Sequence, residues 1–193
     1  MLDTRIVGRA LQLDYANYLK ANGLDAAAFA ADMAKPRELL GSAQTTWLQQ
    51  RLAASQATWQ VLGQQVLMGR MNIPAPILLE GLNPGSGVSV SAYAAMVAKA
   101  QTAPATLTPV EQAVLAQPAI PYNLDAWDGY AVARETVLGT ARSLDKNLVV
   151  LSGDTHNAWA NDLQDLAGRQ VGVEFATPGV TSPGFETYFP NEN

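Results

Sequence analysis

Asn147-Leu-Val-Val-Leu-Ser-Gly-Asp-Thr-His-Asn-Ala-Trp159 carries the single histidine of the chain, His156. Leu148 to Leu151 form a short apolar run with two β-branched residues at its centre, which predicts a buried strand. Ser152-Gly153 break that pattern where a strand would give way to a loop. Asp154 and His156 then fall at the carboxyl end of the strand, where open α/β sheets gather ligands and catalytic groups. A carboxylate and an imidazole spaced i, i+2 in a loop can turn toward one point. Together they offer hard oxygen and borderline nitrogen donors suited to iron, zinc or manganese.

Outward from this stretch, Val171–Phe175 predicts a last strand, and Thr177 to Gly184 a turn-rich exit with two Pro-Gly steps. Asp128 is placed to cap a helix over Gly129–Ser143, with Ala133, Val137 and Ala141 along one face. Ser42 is placed to cap a helix over Ala43–Ala54, with Leu48, Leu52 and Trp47 as its buried stripe. Trp59–Met68 alternates like a strand. Asn72–Pro84 holds three prolines and reads as a surface crossing. Ser89–Gln101 reads as an alanine-rich helix, and Thr108-Pro-Val-Glu111 as a capping box that starts another helix, to about Gln117. Met1–Val7 reads as a strand entered without a preceding turn, so an upstream half is expected before it. The order of elements predicts one α/β layered domain over 1–193, with a helical and loop insertion around 72–120.

Composition narrows the function. At 193 residues, 48% hydrophobic and 15% charged, the chain can bury a sizeable core. A mean hydropathy of +0.01 and few charges argue against disorder. A net charge of −5, with twelve basic residues and no basic run, argues against a nucleic-acid backbone as main partner. The lack of cysteine removes disulfides, thiol catalysis and thiolate ligands. No segment approaches the roughly 20 apolar residues of a membrane span, and the first residues lack a signal-peptide core. Localisation stays open. The glycines of Gly81–Gly87 are not followed by Lys-Ser/Thr, so a P-loop is not indicated.

Leu2-Asp-Thr-Arg5, Leu40-Gly-Ser-Ala-Gln-Thr-Thr-Trp-Leu48, Trp59 to Gln65, Asp125-Ala-Trp-Asp-Gly-Tyr130 with Arg134, Asn147 to Trp159, Val173-Glu-Phe175 and Thr181-Ser-Pro-Gly184 follow one another as in PhoD-like alkaline phosphatases. The chain resembles the carboxyl-terminal half of that family's catalytic domain. The resemblance implies a calcineurin-like metallophosphoesterase, a layered αββα sandwich that hydrolyses phosphate monoesters and diesters at a centre of iron and calcium. It further implies that Asp154 and His156 are closing metal ligands, His156 on iron and Asp154 between metals. The family's other ligands, among them a cysteine, a tyrosine and an asparagine, lie upstream of the matching segment. Metals at such a centre lower the pKa of a bound water and stabilise transition-state charge.

Arg5, Asp128 and Trp159 are the candidate substrate-binding residues, and each has a structural competitor: an ion pair with Asp3, a helix cap, and core packing. Trp127 and Tyr130 are expected in packing roles, and Gln65 as a satisfied polar residue. Arg134 is expected to pair on its own helix. Asn157, Thr155 or a backbone carbonyl could orient the imidazole. A serine triad through Ser152 or Ser182 lacks a Gly-x-Ser-x-Gly elbow. The main rival is a non-catalytic half-domain without the upstream ligands. Such a half should expose an apolar sheet face and self-associate.

Overall fold

The computed structural model describes residues 1–20 and 23–184. In chain order the strands are β1 Leu19–Lys20, β2 Gly23–Leu24, β3 Gln60–Gly63, β4 Asn72–Pro74, β5 Ala119–Pro121, β6 Leu148–Ser152, β7 Trp159–Gln164 and β8 Gln170–Ala176. The helices are α1 Ala26–Met33, α2 Ser42–Ala54, α3 Ala75–Leu82, α4 Val90–Thr102, α5 Pro109–Leu115 and α6 Ala131–Ser143. The chain divides into two compact units, one of 1–13, 30–70 and the described residues from Asn123 on, the other of 14–29 and 71–122.

The first unit is built on a four-stranded sheet in the order β3-β6-β8-β7. The first three strands are parallel, with Gln60 opposite Leu148 and Leu148 opposite Gly172, and β7 joins β8 antiparallel at the edge. Period-two alternation then decides which side chains meet the helices. Leu62, Leu148, Val150 and Leu163 face inward to a core shared with Leu48 and Leu52 of α2 and with Val137, Leu138 and Ala141 of α6. Each fully buried aliphatic side chain there contributes about 1.5–3 kcal/mol. Gly8 and Gly41 both take positive φ, and a Cβ on Gly8 would lie 2.5 Å from the Gly41 Cα, so the amino-terminal segment passes over the start of α2 at backbone contact.

Two buried charges tie this unit together. Arg134 of α6 donates from Nε to the Met68 carbonyl at 2.8 Å and from Nη1 to the Gln164 carbonyl at 3.0 Å. Burial, with the Arg70 charge beside it, lowers its pKa from the ordinary arginine value. Glu174 of β8, wholly buried, accepts from the Met68 and Gly69 N–H groups, the Ser152 hydroxyl and the Asn161 amide. A carboxylate is acceptor-only, so it can satisfy all four donors at once.

In the second unit, Phe29 packs between Tyr15 and Tyr18 at ring-centroid distances of 5.2 and 5.3 Å. β4 and β5 pair antiparallel through Ile73 and Ile120. Ser89 caps α4, and Thr108 with Glu111 forms the expected capping box on α5. Lys99 of α4 reaches Glu111 at 2.8 Å. That hydrogen bond first, then those from the Thr108 backbone and hydroxyl, pulls the Glu111 carboxyl from 4.5 down to about 2.

Several sequence expectations change. Met1–Val7 is not a strand: Leu2 makes one bond to the Gly63 carbonyl at 2.8 Å, and the Asp3 carboxylate then turns the chain by accepting from the Arg5 and Ile6 N–H groups. Those backbone bonds lower the Asp3 pKa. Asn72–Pro84 is a short strand followed by α3, because Pro74 and Pro76 stand where α3 begins and no N–H is needed, while Pro84 follows its end. The strand over Trp59–Met68 stops at Gly63. Ser42 is the first helical residue and makes no cap, and Trp47 is 45% exposed. Asp128 does not cap α6, which begins at Ala131 after a 3-10 turn over Trp127–Tyr130. α1 and β7 were not expected.

Candidate functional site

β6 is paired on both sides, and the chain leaves it at Ser152 with its last turn held from several directions. The Gly153 N–H bonds to the Gln65 carbonyl at 3.1 Å, the Thr177 N–H to the Ser152 carbonyl at 3.1 Å, and the Ser152 hydroxyl to Glu174 at 2.8 Å. The next residues take an unusual path. Asp154 has φ 72° and His156 has φ 62°, both in the left-handed region that non-glycine residues rarely occupy. Asp and His are among the few side chains that tolerate it. Two such residues flanking Thr155 mark a loop whose shape is imposed by its surroundings.

The imidazole is oriented by a backbone carbonyl. His156 Nδ1 lies 2.8 Å from the Pro183 oxygen, and the His156 carbonyl accepts from the Gly179 N–H at 2.8 Å. A Cβ on Gly179 would lie 3.1 Å from the His156 Cβ, so a small residue belongs there. An Nδ1–H donated to Pro183 leaves Nε2 as the lone-pair nitrogen, facing solvent on an exposed ring. Trp159, at the start of β7, donates from Nε1 to the Thr155 hydroxyl at 2.8 Å and packs on the core, so it braces the loop.

Asp154 accepts from Arg5, and the same guanidinium holds Asp125 through its other terminal nitrogen. Asp125 is held in turn by Arg9, which also donates to the Thr4 carbonyl at 2.8 Å and lies 5.0 Å from the Tyr130 ring centroid. Burial opposes the Arg5 charge, but the Asp125 hydrogen bond and the Asp154 charge outweigh it and raise its pKa. The expected Asp3–Arg5 ion pair is replaced by this bridge. Arg5, Asp154, Thr155, His156 and Trp159 are therefore brought into one loop cluster. Asp128 is not: it is buried in the 3-10 turn, where its charge acts on Arg134. Gln65 is a satisfied polar residue, accepting from the Thr4 N–H and hydroxyl at 2.9 and 2.7 Å. Trp127 and Tyr130 are core residues, 0% and 1% exposed.

Asp125 and Arg9 were not among the candidates; the Pro183 carbonyl is the backbone acceptor that stood beside Asn157 and Thr155 as an orienter of the imidazole, with no residue assigned to it. Asp125 stood in a quoted motif, but a backbone acceptor leaves no signal in side-chain identity. For a metal the donor chemistry fits in kind: one Asp154 oxygen and His156 Nε2 have no hydrogen-bond partner among the described residues. It falls short in number, because no group of three or more His, Asp or Glu side chains among the described residues could hold an ion.

The Asp-Thr-His loop lies at the carboxyl end of a central parallel strand, where open α/β sheets gather ligands. The family model for the PhoD-like phosphatases matches residues 1–193, and the chain belongs to that family. It is 30% identical over 153 residues to alkaline phosphatase D of Bacillus subtilis (strain 168), a match covering 77% of this chain and 19% of that protein. A solved structure described as that of PhoD superposes with a TM-score of 0.55 and 26% identity, over 94% of this chain and 26% of that one. The chain thus spans about a fifth to a quarter of the length of these relatives.

Proposed function

We propose that this chain contributes the sheet-end part of a metal-dependent phosphoric ester hydrolase site, with Asp154 and His156 as metal ligands. The observation that carries this reading is the paired availability of His156 Nε2 and one Asp154 oxygen among the described residues, while the other Asp154 oxygen, His156 Nδ1 and the Thr155 hydroxyl are engaged by Arg5, the Pro183 carbonyl and Trp159. Following the family resemblance, the metals are iron at His156 and calcium, and the substrate is a phosphate monoester or diester. When bound, such ions lower the pKa of a water and stabilise charge on the phosphoryl oxygens. Arg5 supplies a guanidinium beside them suited to a phosphate oxygen. Trp159 and Thr155 keep the loop in shape. Asp128, placed by sequence among the substrate contacts, acts here within the fold.

A second reading, a non-catalytic half-domain, draws on the same loop: two donors do not complete a centre. Purified chain supplied with ferric iron and calcium separates the two by metal content and p-nitrophenyl phosphate hydrolysis. Bound iron, with turnover falling more than about 100-fold in His156→Ala, supports the hydrolase. A chain that holds no iron and releases no p-nitrophenol is the non-catalytic form.

A further inference from the structure

We propose that the second unit carries a binding site for a small organic carboxylate, in a cavity of about 350 Å³ between the β1–β2 hairpin, the loop after α3 and the carboxyl end of α5. All of its lining residues belong to that unit, and none belongs to the Asp154–His156 loop. Seventeen acidic residues give the chain its negative balance, yet none of them lines this space among the described residues, and Lys20 is the charged group that does. In an acidic protein such a lining selects for an anion.

The polar groups are set to donate. Gln117 Oε1 is buried with no hydrogen-bond partner among the described residues. Its amide lies on Gly23, whose φ of +108° and missing side chain leave the room: a Cβ there would stand 3.4 Å from Oε1 and 3.6 Å from Nε2. Nε2 has no partner either but is not enclosed, so the NH2 is the end a ligand meets. The Asn83 amide is likewise unengaged among the described residues. The Lys20 ammonium is 3.9 Å from Asp25, the outer limit of an ion pair, on a side chain 63% exposed, and the other Asp25 oxygen is held by the Ala28 N–H at 3.0 Å. Lys20 can therefore turn to a ligand. One ammonium balances one negative charge, which fits a carboxylate and leaves a phosphoryl dianion undercompensated.

One wall is preformed. Glu80 accepts from the Gly85 and Gly87 N–H groups at 2.9 and 3.1 Å, the Ser86 hydroxyl donates to the Leu79 carbonyl at 2.9 Å, and the Val88 N–H bonds to the Pro76 carbonyl at 3.0 Å. A wall fixed before binding spares the ligand an ordering cost. Leu19, Pro76, Val88 and Val114 give the cavity an apolar side, so the carboxylate carries an apolar body. The space suits on the order of ten non-hydrogen atoms, at about the 30 Å³ a water occupies in the liquid.

Phenylacetate, 2-phenylethanol and benzylphosphonate share one body and differ in head group. Each is titrated into the full chain while the Val88 and Val114 methyl signals and the Gln117 side-chain amide are followed by NMR. Phenylacetate should shift all three saturably, with a dissociation constant on the order of 1 mM, and 2-phenylethanol should bind at least about tenfold more weakly. Lys20→Met, at an exposed position, should weaken phenylacetate about tenfold and leave the alcohol unchanged. No saturable shift at these groups overturns the proposal, as does equal binding of the alcohol or unchanged phenylacetate affinity in Lys20→Met. Benzylphosphonate binding about tenfold more tightly than phenylacetate overturns the assignment to a carboxylate.

Discussion

Replacing Glu174 with glutamine should destabilise the first unit far more than an almost isosteric change ordinarily would. The carboxylate is wholly buried and accepts from the Met68 N–H at 2.7 Å and the Ser152 hydroxyl at 2.8 Å on one oxygen. On the other it accepts from the Gly69 N–H at 2.6 Å and the Asn161 amide at 2.9 Å. A glutamine amide turns one acceptor into a donor. Ser152 could rotate its hydroxyl and Asn161 could flip its amide, but Met68 and Gly69 present backbone N–H groups with no alternative role. Either orientation of the amide orphans one of them, at a cost of about 1–3 kcal/mol. The remaining bonds lose their charge assistance, about 0.5–1 kcal/mol each. Relief of burying a charge offsets part of this, leaving a net loss of about 2–4 kcal/mol. Urea unfolding followed by tryptophan fluorescence measures it, with the m-value checked for constancy. Amide exchange at Met68 and Gly69 locates it. A loss below about 1 kcal/mol with both amides still protected would refute the reasoning, because the four donors would then not depend on the charge.

Glu111 gives a pH prediction. Its folded pKa of about 2 lies below its ordinary 4.5, so its contribution to the α4–α5 pair is fully present above 4.5 and is lost as pH falls toward 2. Carbon NMR of the Glu111 carboxyl should show a midpoint near 2, moving back toward 4.5 in Lys99→Met; a midpoint at 4.5 in the unaltered chain would contradict the Lys99 and Thr108 contacts. The outward face of the main sheet gives another. Val61 is 57%, Leu151 46% and Phe175 51% exposed, and the register sets Val61, Val149 and Val173 in one row and Leu151 and Phe175 in the next. A contiguous apolar patch of that kind should bring two copies of the purified chain together face to face. Sedimentation velocity should show concentration-dependent association that Phe175→Lys abolishes, and a single monomeric species at all concentrations would refute it.

What the sequence made legible follows from which signals are local. The strand before Asp154, the alanine-rich helix α4, the capping box of α5 and the apolar face of α6 are short-range patterns, and all of them stand in the structure. α3 escaped notice because proline at a helix start looks the same, in sequence, as proline in a crossing segment. β7, Trp-Ala-Asn-Asp-Leu-Gln, escaped because an edge strand with one wet face buries only Leu163 outright and carries no apolar run. Asp128 before a helix has the composition of a cap, but the 3-10 turn shifts the helix start past it. At the site, the Asp-Thr-His spacing was visible. Its partners were not, because Arg5 meets Asp154 across 149 residues and the imidazole is oriented by a main-chain oxygen.

The loop that carries Asp154 and His156 has a firm base and an open rim, and the two properties come from different residues. Below it, Glu174 fixes Ser152, Gln65 accepts from Gly153, and Trp159 ties Thr155 to the core, so the backbone can hold two left-handed non-glycine residues that would relax if isolated. Above it, His156 is exposed, and among the described residues the Asp154 carboxylate is engaged by an arginine that is itself one-third exposed. Strain held by a rigid base presets where the two donors point, so a ligand that binds them need not pay the ordering cost of the loop. On the ligand reading proposed above, loosening the base should weaken cation binding at His156 even where no donor is touched. Thr155→Val is the discriminating substitution: it removes the hydroxyl that accepts from Trp159 and keeps the side-chain volume. Cobalt affinity reported by the His156 ring should fall several-fold in that variant, and an unchanged affinity would mean that the loop holds its shape without Trp159.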